Sequence, residues 1–269
     1  MNATVPELGA DLERRFGGLR RLYGDAAYAR LRQLRLAVVG LGGVGSWAAE
    51  ALARCGVAGL VLIDLDQVSE SNVNRQVQAT SATLGQAKVQ ALHERILAIH
   101  PGCDVHAVEA FVEPANWPGL LPVAVAGLID ACDQVRAKVA LAAWARHEQQ
   151  AFVCVGAAGG KRSPLGLAVN DLSAVTHDPL LASLRQRLRR EHGASRAGSM
   201  GVRCVWSRES VARPVVDVTN ADECASDGSL NCHGYGSSVM VTASFGMAAA
   251  AALLEQCLAP SQGSAIAKL

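Results

Sequence analysis

Four apolar residues at positions 36–39 run straight into Gly40, Gly42 and Gly45, which fall in the order G-x-G-x-x-G within "VVGLGGVGSWAAEALARCGV", and the chain then continues with helical spacing. A strand, a glycine turn and a helix in immediate succession are the context in which this spacing makes a phosphate-binding loop. Gly40 and Gly42 let the chain turn tightly and bring backbone N–H groups close to a phosphate, while the helix N-terminus adds partial positive charge. The loop points to a ligand with phosphates, against the alternative of a simple turn, and leaves the nucleotide open.

Downstream the same rhythm repeats. Apolar strand-like runs at 36–39, 60–63, 104–108 and 123–129 alternate with helical segments from about 46, over about 84–99 and over about 136–149, and a further run at 152–155 ends in "GAAGG". This βαβα order predicts an α/β, Rossmann-like, mostly parallel sheet with right-handed crossovers and helices on both faces. Ligands bind outside the carboxyl ends of such strands, so Gly40, Asp64, Asp130, Asp133 and Gly156 are expected to converge on one crevice.

After Gly160 the rhythm fails. A strand-like stretch at 167–171, an arginine-rich helix at 179–192 and the strand "VRCVWS" lead to "VDVTNADECASDGSLNCHG", whose turn-rich composition reads as a mobile crossover loop near the site. The chain is expected to be one domain over residues 1–269. Residues about 13–160 form its nucleotide-binding half, and about 161–269 a C-terminal elaboration for substrate binding and dimer contacts.

With 269 residues, half of them hydrophobic, the chain can bury a large core. A formal charge of +1 argues against a wholesale basic surface, so any nucleic-acid contact must be local. Eight cysteines are scattered without a C-x-x-C pair, which argues against zinc and against a disulfide framework. The longest apolar stretch, 239–254, is shorter than the roughly 20 residues a bilayer needs and reads as a buried helix, with no membrane involved. The first residues show no basic segment followed by an apolar one, so the expected location is cytoplasmic.

Asp64 ends the second strand about 20 residues after the last glycine, where a carboxylate holds a ribose hydroxyl pair. Both NAD and ATP carry that ribose. The discrimination comes from "DLDQVSESNVNRQV" and Lys88, because a triphosphate carries more charge than a dinucleotide and benefits from an arginine fork and a lysine point charge. Asp130 and Asp133, in "LIDACDQVRAK", would be repelled by phosphates unless Mg²⁺ lies between them.

"GLGGVGS", "IDLDQVSESNVNRQ", Lys88 and "DACDQVRAK" together resemble the adenylating domain of ubiquitin-activating enzymes and of bacterial sulfur-carrier adenylyltransferases, over about residues 13–160. Within that superfamily, "RFGGLRRLYG", "GAAGGKRSP", "DPLLASLRQRLRREHG", "GVRCVWSRE" and "VMVTASFG" resemble the tRNA threonylcarbamoyladenosine dehydratases across nearly the whole chain. The resemblance implies that Gly40, Gly42, Gly43 and Gly45 lie against ATP, that Asp64 holds the ribose with Asp66 and Asp130 nearby, and that Asn72, Arg75, Gln76 and Lys88 meet the phosphates. Asp133 would place Mg²⁺ through those phosphates. Arg15 matches an arginine that the family inserts into the partner subunit's ATP site, which implies a homodimer. A monovalent cation, Na⁺ or K⁺, and a cysteine desulfurase or other sulfur-acceptor protein are further candidates that this resemblance raises.

The activity implied is adenylation of the carboxylate of threonylcarbamoyladenosine next to the anticodon of tRNA, followed by ring closure. Adenylation of a carrier protein's C-terminal glycine is the alternative, disfavoured by the missing C-x-x-C pairs. A nucleotide-binding sulfur-relay scaffold comes next, and retention of the whole charged set counts against it. Cys232, in "LNCHGYGSS", is a candidate thiol, although cyclisation needs no covalent enzyme intermediate. Arg185, Arg187, Arg189 and Arg190 read equally as a solvated helix face or as an RNA contact, while Lys161 and Arg162 are better placed to meet an RNA backbone.

Overall fold

The computed structural model describes residues 11–212 and 235–259. Three short helices, α1 (Leu12–Phe16), α2 (Gly18–Tyr23) and α3 (Asp25–Leu31), precede the glycine loop's own strand, β1 (Arg35–Val39). Then follow α4 (Gly45–Arg54), β2 (Gly59–Ile63), α5 (Lys88–Ile99), β3 (Asp104–Val108), β4 (Gly127–Asp130), α6 (Val135–His147) and β5 (Ala151–Val155). The chain continues through β6 (Leu167–Asp171), α7 (Pro179–Glu191), β7 (Arg203–Ser207) and α8 (Val239–Leu258).

Seven strands make one sheet in the order β3-β2-β1-β4-β5-β7-β6, and all neighbours are parallel except β6 with β7. The central strands are uninterrupted apolar runs because both faces of the sheet are covered. Side-chain alternation divides them between two cores: Leu36 and Val38 point to the layer of α4, α5 and α8, and Ala37 and Val39 to the layer of α6 and α7. Strand order reverses between β1 and β4, so the crevice outside their carboxyl ends is the switch point at which ligands bind.

Three boundaries depart from the sequence reading. Helix α5 begins at Lys88 rather than near 84, because Thr83 closes a turn on Thr80 and Gln78 and Gly85 sits at φ +79. Strand β4 begins only at Gly127. Helix α8 runs for 20 residues, to Leu258, and by length and composition it could cross a bilayer. Half of it is buried, however, where Gly246 crosses α4 so closely that a Cβ would lie 2.8 Å from that of Trp47. It is a core helix.

The antiparallel β6 ends in a cap that fixes the approach to β7. Asp171 accepts hydrogen bonds from Ser173 N (2.9 Å), Met200 N (2.8 Å), Gly201 N (2.9 Å) and the Ser199 hydroxyl (2.7 Å). Burial alone would raise this carboxyl, but the bonds from Met200, Ser173 and Ser199 outweigh it and hold its pKa far below the usual range. The folded value lies below the unfolded one, so the stabilisation is complete above about pH 4 and is lost as pH falls through the folded value. Asp171→Ala is therefore expected to cost about 1–2 kcal/mol at pH 7 and to flatten the acid limb of stability. Denaturant unfolding between pH 2 and 7 checks both, and an unchanged acid limb would remove Asp171 as its source.

Candidate active site

At the end of β1, Gly40 adopts φ +82, and a Cβ there would lie 2.8–2.9 Å from the backbone of Ala131 and Cys132. No other residue fits between the β1 and β4 ends. Gly43 is confined by Thr242 and Arg75, at 3.0 and 3.2 Å from a built Cβ, while Gly42 faces open space. Gly45 has a different task from the one expected of it: it does not line the cavity, and a Cβ on it would collide with the Gly40 carbonyl, so it packs α4 under the loop. Val44, at the N-cap of α4, supplies no side-chain cap.

Asp64, at the end of β2, is 8% exposed and accepts from Leu41 N at 2.6 Å and Asp66 N at 2.8 Å. Burial raises its pKa, and Lys88 with the two backbone donors only partly offsets this. Lys88 opens α5 nearly buried, with its Nζ 2.6 Å from the Asp66 carboxylate. Asn72 closes a capping box with Ser69, whose N–H it accepts at 3.1 Å, and Gln76 accepts from Gln78 at 3.1 Å. Arg75 donates to Ser71 O at 2.7 Å and to Asn74 Oδ1 at 2.9 Å. Its own carbonyl accepts from Trp47 Nε1 at 3.0 Å and from the Thr242 hydroxyl at 3.4 Å, which pins it from α4 and α8.

These side chains line one cavity of about 880 Å³, within the range of small-molecule sites. Gly40, Gly42, Gly43, Asp64, Asp66, Asn72, Arg75, Gln76, Lys88 and Asp133 all reach it. Two cations and three carboxylates around one glycine loop suit a polyanion with a divalent cation. Among the described residues no group of three or more His, Cys, Asp or Glu side chains could hold a metal alone. Mg²⁺ therefore fits here only where phosphate oxygens complete its shell beside Asp133.

Two further expectations are corrected. Asp130 does not reach the cavity: it is fully buried and paired with Lys138 Nζ at 3.1 Å, and the carboxylate of this turn that lines the cavity is Asp133. Lys161 does not meet an RNA backbone, because it is 2% exposed and donates to Glu209 O at 2.8 Å. Of the α7 arginines, Arg185 and Arg189 are spent on backbone carbonyls of Val175 and Ser195, and Arg187 and Arg190 remain outside that role. Arg15 is exposed on α1 and bonds Ile99 O rather than lining its own chain's cavity. Cys232 and the crossover loop lie outside the described residues.

Sequence reasoning missed Phe111, Thr242 and the Tyr235–Gly236–Ser237 segment, all of which line the cavity. Thr242 had a signal, a hydroxyl inside an alanine-rich helix. Phe111 had none. Asn74 Nδ2 ties Ser237 O at 2.9 Å and Gly160 N ties Gly236 O at 2.9 Å, and long-range bonds of this kind leave no local trace.

Comparison with known proteins agrees with this geometry. The chain is 42% identical to a tRNA threonylcarbamoyladenosine dehydratase of Escherichia coli, over 91% of this chain and 94% of that one. It is 36% identical to one of Haemophilus influenzae, over 96% and 98%. A crystal structure of the Escherichia coli tRNA N6-threonylcarbamoyladenosine dehydratase in complex with ATP superposes with a TM-score of 0.83 at 40% identity, covering 93% of this chain and 96% of that one. Residues 15–259 match the pattern of the ThiF family, and this chain belongs to that family.

Proposed function

We propose that this chain carries out the ATP-dependent cyclising dehydration of threonylcarbamoyladenosine next to the anticodon of tRNA, through an acyl-adenylate of its carboxylate. The observation that carries the reading is a single cavity holding Arg75, Lys88 and Asp133 around the glycine loop, in a chain similar over nearly its whole length to a relative solved with ATP. ATP is a substrate here.

Oxide is a poor leaving group, so a carboxylate cannot donate its acyl group directly. Its oxygen attacks the α-phosphorus of ATP, the bond to the β-phosphate bridging oxygen breaks, and pyrophosphate leaves. A neighbouring group of the same modified side chain then attacks the acyl carbon, and AMP departs with the carboxyl oxygen. Net loss is one water. Holding both groups in one molecule supplies the effective concentration.

The residues supply position and charge. Asp64 accepts from the ribose hydroxyls, the loop from Gly40 to Gly43 lies along the phosphates, and Arg75 and Lys88 stabilise the charge as it moves. Asp133 would hold Mg²⁺ through those phosphates, and the ion when bound would supply further charge neutralisation. Residues about 161–269 read the substrate, and the active unit is a cytoplasmic homodimer in which Arg15 reaches the partner's site. The chemistry balances without a sulfur-acceptor partner or an alkali cation, and neither enters the reading.

Mass spectrometry of nucleosides from tRNA treated with protein and ATP is expected to find the modified adenosine lighter by one water, with AMP formed in step. An unchanged nucleoside beside an adenylated carrier-protein tail would transfer the chain to the alternative. For the ligand, Mg²⁺ with ATP at 100 times its Kd is expected to stabilise the fold by about 2.7 kcal/mol, read as a raised Tm. A larger shift with NAD would overturn the assignment.

A further inference from the structure

Beneath the cavity floor lies an ion pair that the chemistry above does not use. Asp130, at the end of β4, and Lys138, on α6, are both 0% exposed and 3.1 Å apart. Asp130 Oδ1 also accepts from Cys132 N at 3.2 Å and from the Cys132 thiol at 2.8 Å, while Oδ2 accepts from the Cys154 thiol at 3.2 Å. Lys138 Nζ makes a second bond, to Val155 O at 2.8 Å. Burial alone would favour a neutral amine, but the Asp130 carboxylate outweighs it and raises the lysine's pKa above its ordinary value.

A buried ion pair gives little net stability against an apolar pair of the same volume, so its presence needs another reason. Its bonds supply one. Asp130 fixes the turn that carries Cys132 and Asp133, and Lys138 joins that turn to the end of β5, from which Gly156, Ala157 and Gly159 enter the cavity wall. Resting on the adenylation reading, we propose that Asp130 and Lys138 are positioning residues, which lock the two strand ends together so that Asp133 is held at the reacting phosphates.

The test is the apolar pair D130L/K138M, compared with wild type, D133A and the triple variant. Tm, the KM for ATP and the kcat for tRNA-dependent AMP formation are measured for each. Expected are a Tm near that of wild type, a KM within about 3-fold, and a kcat lower by about 10²-fold. Adding D133A should lower kcat less than about 2-fold further, because both changes remove one preorganised group. A stable D130L/K138M protein with wild-type kcat, or effects that multiply with D133A, would overturn the proposal. Should the apolar pair not fold, D130N/K138M, which keeps an acceptor for Cys132 N, is read against the same two outcomes. Wild-type protein that forms no AMP removes the parent reading, whereas active wild type beside an active pair variant removes only this one.

Discussion

Replacing Arg75 or Asp133 by alanine is expected to lower the rate of adenylation by about 10²–10³-fold, the usual effect of removing one preorganised charge stabiliser. Arg75 is held by Trp47 and Thr242 on its carbonyl and by Ser71 and Asn74 on its guanidinium. Its truncation leaves that frame standing, since the carbonyl bonds survive. The loss should therefore fall on kcat, with the fold intact by circular dichroism and Tm. Cys232→Ser, in contrast, is expected to keep most of the turnover, because an acyl-adenylate that closes on its own side chain needs no thioester. A Cys232→Ser loss as large as that of Arg75→Ala, in folded protein that binds ATP normally, would implicate the thiol and revive the carrier-protein reading.

How far the sequence reached depends on which forces were local. Strands β1, β2 and β5 were legible because burial on both faces forces contiguous apolar runs, and the glycine loop because Gly40 needs a backbone conformation that only glycine takes freely. Asp64 followed from its distance to that loop. From the residues alone Asp130 and Asp133 could not be told apart, since both sit at one strand end three residues apart, and only the family resemblance singled out Asp133. What separates them is Lys138, whose burial exists only once α6 lies on the sheet. Lys161 misled for the same reason: next to a glycine-rich strand end it reads as an exposed cation, yet the carbonyl of Glu209, 48 residues later, takes its ammonium inside. The antiparallel direction of β6 was equally hidden, because composition marks a strand without its direction.

Mixing Arg15→Ala subunits with Lys88→Ala subunits is expected to restore activity that each variant alone lacks. The expectation starts from the way α1 is held. Phe16 is buried, its ring 4.8 Å from that of His100 and under the Arg32 guanidinium at 4.9 Å, and Gly56 leaves no room for a Cβ beside it. Burial, then the charge of Arg32, lowers the His100 pKa below its ordinary value. Arg15, next to Phe16, is exposed on α1, outside its own chain's cavity, with its guanidinium on Ile99 O, and in a two-fold dimer it would leave that carbonyl for the partner's site. If each site joins Lys88 of one chain to Arg15 of the other, a heterodimer has one intact site and one doubly defective site. Random exchange makes half the dimers hetero, so recovery should approach about a quarter of wild-type turnover. If Arg15 instead served its own chain, both sites of the heterodimer would carry one defect each and recovery would stay at the level of the separate variants. Native mass spectrometry of differently tagged subunits establishes the exchange, and absence of recovery once heterodimers are seen would place Arg15 outside the shared site.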